Sequence, residues 1–150
     1  MKHPTSTTNP PASTAGKISA ALLLVVVAFQ AALAAGAPWG AATQGGANVG
    51  VLPDMLRVGS VITLLAYAAL AAVAGTSWTP ANARRRILKI SAIVMVFAMM
   101  LNIASPSFVE RIIWVPVTVA LVITLWQAAR NEAIKPASHT ANRHLTREPR

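Results

Sequence analysis

The chain has 150 residues, 55% of them hydrophobic and only 11% charged, and its mean hydropathy is +0.55. A water-soluble domain carries about a quarter charged residues, so 13 Lys or Arg and 4 Asp or Glu are too few to clothe a soluble globule, which argues against a soluble enzyme. With no Cys there are no disulfides, thiolate metal sites or cysteine nucleophiles. His3, His139 and His144 all lie near the chain ends, so no bis-histidine haem, no other cofactor and no metal site is expected.

Residues 1–16 are rich in Pro, Ser and Thr and read as a disordered tail. The first uncharged run, 18–35, follows Lys17 and ends at Gly36-Ala37-Pro38. Lys2, Lys17 and the Ala32-Leu33-Ala34 triplet also imitate a signal peptide, whose cleavage would leave three spans. The run is long enough to span by itself and is read as the first transmembrane helix. The connection that follows, 36–52, holds Gly36, Gly40, Gly45, Gly46 and Gly50 and has the most specialised backbone in the chain.

Pro53 suits a first helical turn, and Asp54 beside it meets the positive end of the helix dipole, so the second span is placed at 53–76. A turn marked by Pro80 leads to the third span, 86–104. Ser105-Pro106-Ser107 then separates it from the fourth, 108–130, where Ser107 and Glu110 have the spacing of a reciprocal capping box. Pro116, two turns into that helix, is expected to kink it. Residues 131–150 read as a disordered basic tail.

At 1.5 Å per residue, runs of 18 to 20 residues cover about 27–30 Å, one hydrocarbon core, and the runs lack the alternation of a membrane β-strand. The expected fold is therefore all-α: a four-helix transmembrane bundle occupying residues 17–130. Lys2, Lys17, Arg84, Arg85, Arg86, Lys89, Arg130, Lys135, Arg143, Arg147 and Arg150 fall on one side, against Arg57 and Arg111 on the other. That positive-inside bias puts both termini in the cytoplasm. Topology also accounts for the net charge of +9, and with no basic stripe interleaved with aromatics, no nucleic-acid partner is expected. Trp39, Trp78, Trp114 and Trp126 all lie near span ends and read as interfacial anchors.

No charge falls in the middle of a span, which argues against proton pumps, ion-coupled carriers and voltage sensors. Gln30, Ser60, Thr63, Tyr67, Ser91, Asn102, Thr118, Thr124 and Gln127 are read as interhelical hydrogen-bonding groups. Small residues at Ala28, Ala32 and Gly36, and at Ala68, Ala71, Ala72 and Gly75, point to close packing of the first two helices. The charged constellation is on the outer face: Asp54, Arg57, Glu110 and Arg111, bordered by Trp39 and Asn102. Asp54 and Arg57 are i,i+3 partners, with a bidentate clasp from Arg57 to Glu110 as the alternative, so the cluster is read as a structural clasp or a partner site. No catalytic residue is assigned.

The stretches Gly36-Ala37-Pro38-Trp39-Gly40, Gly45-Gly46 and Leu52-Pro53-Asp54-Met55-Leu56-Arg57, with Ser60, then Ser105-Pro106-Ser107, Glu110-Arg111, Trp114 and Pro116-Val117, carry a resemblance. Over residues 18–130 the chain resembles small four-helix integral membrane proteins of high-GC Gram-positive (actinobacterial-type) bacteria, to which no activity is assigned. The resemblance implies a bacterial plasma-membrane location and an outward-facing motif surface. It transfers no catalytic residue.

The leading functional expectation is a non-enzymatic polytopic membrane protein, an accessory subunit presenting the Gly/Trp-rich loop to a membrane-protein partner or to lipid, or forming a homo-oligomer. A small oligomeric transporter or channel is the alternative. A membrane enzyme acting on a lipid or cell-wall precursor through Asp54, Arg57, Glu110 and Arg111 is a third.

Overall fold

The computed structural model describes residues 9–134, which form four long helices joined by a long first connection, residues 35–53, and two short ones. Helix α1 is Thr14–Ala34, α2 Asp54–Gly75, α3 Ala81–Ala104 and α4 Phe108–Ile134; two single 3₁₀ turns, Gly40–Ala42 and Gln44–Gly46, lie in the first connection. All four helices are long and apolar enough to cross a membrane. The tails expected at 1–16 and 131–150 lie mostly outside the described residues.

Helix boundaries differ from the charge-gap reading where caps decide them. The Ser13 hydroxyl accepts the Gly16 N–H at 3.1 Å and starts α1 at Thr14, so residues 14–16, expected in the tail, are helical. Helix α3 begins at Ala81 rather than 86, because Pro80 is its N-cap and the Arg84-Arg85-Arg86 run is helical. Helix α4 continues through Pro116 and past Arg130 to Ile134.

The helices associate as two hairpins. Helix α1 packs along α2 and α3 along α4, while α1 against α4 joins the pairs; α2 and α3, although consecutive, barely meet. The α1–α2 seam is close at two glycines. A Cβ on Gly16 would lie 2.5 Å from the Ala74 carbonyl oxygen, and one on Gly75 would lie 2.9 Å from Ala20 Cβ. Small residues do let these two backbones approach, but of the predicted stripes only Gly75 is at these contacts; Gly16, Ala20 and Ala74 lie outside them, and Ala28 is exposed.

Between the helices, Leu23, Val26, Ala74, Leu88, Met95, Trp114, Leu121 and Leu125 form one core. Around them the outer surface is apolar as well, with Leu24, Val25, Ile62, Leu65, Phe97 and Ile113 exposed. A helix that is apolar on all sides, in a bundle too small to bury it, requires lipid rather than water as solvent. Thr63, Thr118 and Thr124 return their hydroxyls to the carbonyls of Gly59, Trp114 and Ala120, four residues back on their own helices, rather than across an interface as expected.

One device recurs at all three connections. Arg57, Arg84 and Arg111 are each the fourth residue of their helix. Each backbone N–H closes the first turn onto the cap residue, Pro53, Pro80 or Ser107, at 3.1, 2.8 and 3.1 Å. Each guanidinium reaches back to the end of the preceding helix: Arg57 Nε to Ala34 O at 3.0 Å, Arg84 Nη1 to Thr76 O at 2.8 Å and Arg111 Nη1 to Ser105 O at 2.8 Å. Carbonyls at a helix C-terminus lack intrahelical donors and carry the negative end of the dipole, so a cation there is doubly favourable.

Arg84 goes further. It is fully buried, and its Nη2 reaches Glu132 Oε2 at 2.6 Å and Pro10 O at 3.1 Å. It thereby ties together the segment before α1, the end of α2, the start of α3 and the end of α4. Arg84, counted in the sequence among the positive charges of one side, is thus buried rather than exposed, and burial forces it to pair. Its Nε has no hydrogen-bond partner.

Candidate functional site

The opposite end of the bundle, the loop end, is where the sequence concentrated its motifs. Helix α1 closes there with Gly36 at φ +96°, its N–H on Leu33 O at 3.0 Å and the Ala37 N–H on Ala32 O at 2.9 Å. This is the paired Schellman arrangement that satisfies the last carbonyls, and Arg57 takes the one it omits, Ala34 O.

The chain from Gly40 to Gly50 then folds back on itself, Gly40 N–H donating to Gly50 O at 2.9 Å. Glycine is required at Gly40 because an added Cβ would stand 1.9 Å from the Asn48 carbonyl oxygen. Helix α4 and the turn before it take up the loop's inward-facing backbone groups. Ser107 Oγ donates to Ala41 O at 2.6 Å, Trp114 Nε1 donates to Ala42 O at 2.7 Å, and the Gly45 N–H donates to Glu110 Oε2 at 2.8 Å. The loop is thus a cap hydrogen-bonded onto the bundle. Trp39, Val49 and Val51 of the loop and Met55 of α2 are exposed.

These contacts revise two expectations. The capping box is half formed: Ser107 Oγ accepts the Glu110 N–H at 3.2 Å, but the Glu110 carboxylate does not return to Ser107. Ser107 N–H instead meets Ser105 Oγ at 3.1 Å, and Glu110 spends Oε2 on Gly45 and on the Ser105 hydroxyl at 2.5 Å. The alternative clasp from Arg57 to Glu110 does not form either. Arg57 pairs with the highly exposed Asp54 at 3.3 Å, and the other ion pair among the described residues is Arg84–Glu132.

The six residues singled out from the sequence consequently divide. Asp54 and Arg57 belong to the α1–α2 corner. Glu110 and Arg111 belong to the α3–α4 corner, with Asn102 one turn away on α3. Trp39 stacks on Phe29, centroids 6.0 Å apart, and Phe29 meets Trp114 edge-on at 4.7 Å. Trp114 is not an interfacial anchor with a wet N–H: it is buried and its indole bonds the loop. Trp78 and Trp126 remain exposed at the other end, and Lys89 Nζ lies 6.0 Å from the Trp126 ring centroid.

Beneath the cap is a cavity of about 500 Å³, roofed by Thr43, Gln44 and Gly45. Phe29, Gln30, Tyr67, Asn102, Glu110 and Trp114 are among its walls, and Glu110 supplies the one formal charge there. A second hollow of about 560 Å³ lies in the seam that α2 and α3 leave open; its walls, from Ile62 to Val73 and from Ile87 to Met95, hold no charged side chain. The two share Thr63, Tyr67 and Met95.

Sequence reasoning missed Phe29, Gln44 and Gly45 as parts of this site, and read Gln30 and Tyr67 only as helix glue. Gly45 at φ +71° follows Gln44 at φ +52°, a left-handed pair for which the glycine run was the available signal. No group of three or more His, Asp or Glu side chains comes together among the described residues, so the arrangement offers no set of metal ligands. No protein-family model, curated protein or solved structure matches the chain.

Proposed function

We propose that the chain is a non-enzymatic, multi-pass plasma-membrane protein that presents the capped loop end, on the outer side of the membrane, to a partner membrane protein or to lipid. The observation that carries this reading is the division of the loop into two sides. Its inward backbone groups are taken by Ser107, Glu110 and Trp114, while Trp39, Val49, Val51 and Met55 stand exposed. Exposed apolar side chains at the end of a membrane bundle are suited to a partner's surface or to the headgroup boundary.

Orientation rests on charge. Lys17, Arg84, Arg85, Arg86, Lys89 and Arg130 gather at the end away from the loop, the excess that marks a cytoplasmic face. The resemblance to actinobacterial-type membrane proteins supports a bacterial plasma membrane as the bilayer.

The test uses the natural absence of Cys. A membrane-impermeant maleimide should label Val49→Cys in intact cells and Asn82→Cys only after permeabilisation; the reverse pattern overturns the orientation. A photoreactive residue at Val49 should give a dominant protein or lipid adduct. Crosslinking no stronger than that from a lipid-facing site such as Leu65 would refute the presentation role.

A further inference from the structure

The cavity and the α2–α3 seam lie end to end, and their chemistry differs. The loop-end cavity has a carboxylate, Glu110, two side-chain amides, Gln30 and Asn102, and three aromatic rings, Phe29, Tyr67 and Trp114, with no Lys or Arg in its walls. Glu110 offers Oε2 to Gly45 and Ser105, which holds the carboxylate in place at the cavity wall. A fixed, partly buried carboxylate in a hollow lined by aromatic rings is an environment that favours an organic cation: charge attraction and cation–π attraction act together. An anion would meet the same carboxylate with no compensating cation.

The seam supplies the other half. It runs along α2 from Ile62 to Val73, eleven positions or about 16 Å at 1.5 Å per residue. Ile62, Leu70, Val73, Ile87, Val94 and Met95 make it apolar, and Ile62, Ile87 and Val94 are themselves exposed on the surface that faces lipid. It exists because α2 and α3 barely touch. The seam joins the cavity at Tyr67, Thr63 and Met95.

We propose that cavity and seam form a single bilayer-accessible site for an amphiphilic organic cation, whose ammonium or phosphonium head sits beside Glu110, Phe29 and Trp114 while its hydrocarbon tail runs past Tyr67 into the seam between α2 and α3. The combined hollow is of the size that encloses small-molecule ligands. This site is independent of what the outer side of the loop contacts.

Equilibrium dialysis of radiolabelled tetraphenylphosphonium against the full-length protein in dodecyl maltoside micelles tests the head. Saturable binding of one equivalent is expected. Dodecyltrimethylammonium should displace the label at far lower concentration than tetramethylammonium, and dodecyl phosphate should not displace it. Glu110→Gln retains an oxygen acceptor for Gly45 and Ser105, so the fold is expected to persist while affinity falls at least tenfold. Absence of saturable binding by the unaltered protein, displacement by dodecyl phosphate equal to that by the cation, or unchanged affinity in folded Glu110→Gln overturns the proposal. Ala66→Trp, which fills the seam remote from the loop, tests the tail separately. It should weaken displacement by dodecyltrimethylammonium at least tenfold and leave tetramethylammonium unaffected; a preference for the long-chain cation as large in this variant as in the unaltered protein removes the seam from the site.

Discussion

Glu110 Oε2 accepts the Gly45 N–H at 2.8 Å across 65 positions of chain and the Ser105 hydroxyl at 2.5 Å. One carboxylate oxygen therefore joins the glycine loop, the end of α3 and the first turn of α4. Hydrogen bonds to a charged acceptor contribute about 1.5–3 kcal/mol, and their loss leaves the donors unpaired. Glu110→Ala is expected to lower stability in detergent by about 2 kcal/mol, and Glu110→Gln by less, because its carbonyl still accepts. Thermal unfolding of both variants checks the order. Equal losses would show that the charge, not the acceptor, holds the loop.

Arg57 is served elsewhere, by Asp54 at 3.3 Å and the Ala34 carbonyl at 3.0 Å. A double-mutant cycle on Arg57→Met and Glu110→Gln should therefore be additive within about 0.5 kcal/mol, as is usual for sites without shared partners. Arg57→Met alone should destabilise the α1 terminus, whereas Asp54→Asn should cost little, since its side chain is nearly fully exposed and surface pairs contribute about 0–1 kcal/mol. Coupling well above 0.5 kcal/mol in the cycle would mean that the two corners of the loop end communicate.

Arg84 and Glu132 make the opposite case. Their side chains are 0% and 2% exposed and meet at 2.6 Å, so removing either partner strands a charge away from water. Breaking such a pair costs about 3–5 kcal/mol, whereas replacing both partners by apolar groups of similar volume is often neutral. Arg84→Met and Glu132→Leu should each give a strongly destabilised protein. The double variant should recover much of the loss, though not all, because Thr76 O and Pro10 O also lose their donor. A double variant no better than either single one would show that the carbonyl contacts, not the ion pair, dominate.

The four spans were legible because apolar runs longer than 17 residues have few other fates. What the runs did not reveal is how their ends are closed. Arg84 looks like any cytoplasmic arginine until its partner, 48 residues away, is brought beside it. The arginine caps leave a faint trace in sequence, Pro53 to Arg57 and Pro80 to Arg84 at the same spacing, repeated from Ser107 to Arg111. The trace was missed because each arginine had already been counted as a topology signal. At the loop end the glycines announced unusual backbone, and the Ser107–Glu110 spacing announced a cap. Neither local pattern contains the information that Glu110 would turn to Gly45, which depends on how the loop lies over α4. Trp114 was misread for a related reason: position along a span does not tell a lipid-facing indole from one turned inward to bond Ala42.

The glycines permit a graded test of that loop geometry. At Gly40 an added Cβ would meet two backbone oxygens, Asn48 O at 1.9 Å and Gly50 O at 2.8 Å, and neither can retreat without opening the fold-back held by the Gly40–Gly50 hydrogen bond. Gly50 has φ +94° but open space where its Cβ would go, so alanine there meets only backbone strain of about 1–2 kcal/mol. Gly59, inside α2, has neither a positive φ nor a neighbour within 4 Å, so alanine there removes unfolded-state freedom and gains about 0.5–1 kcal/mol. Thermal unfolding should rank Gly59→Ala at or above the unaltered protein, Gly50→Ala below it and Gly40→Ala lowest. In Gly40→Ala the maleimide reactivity of a cysteine introduced at Ala42, buried in the intact loop, should rise as well. If Gly40→Ala unfolds no earlier than Gly50→Ala and leaves Ala42→Cys protected, the fold-back at Gly40 does not hold the cap on the bundle.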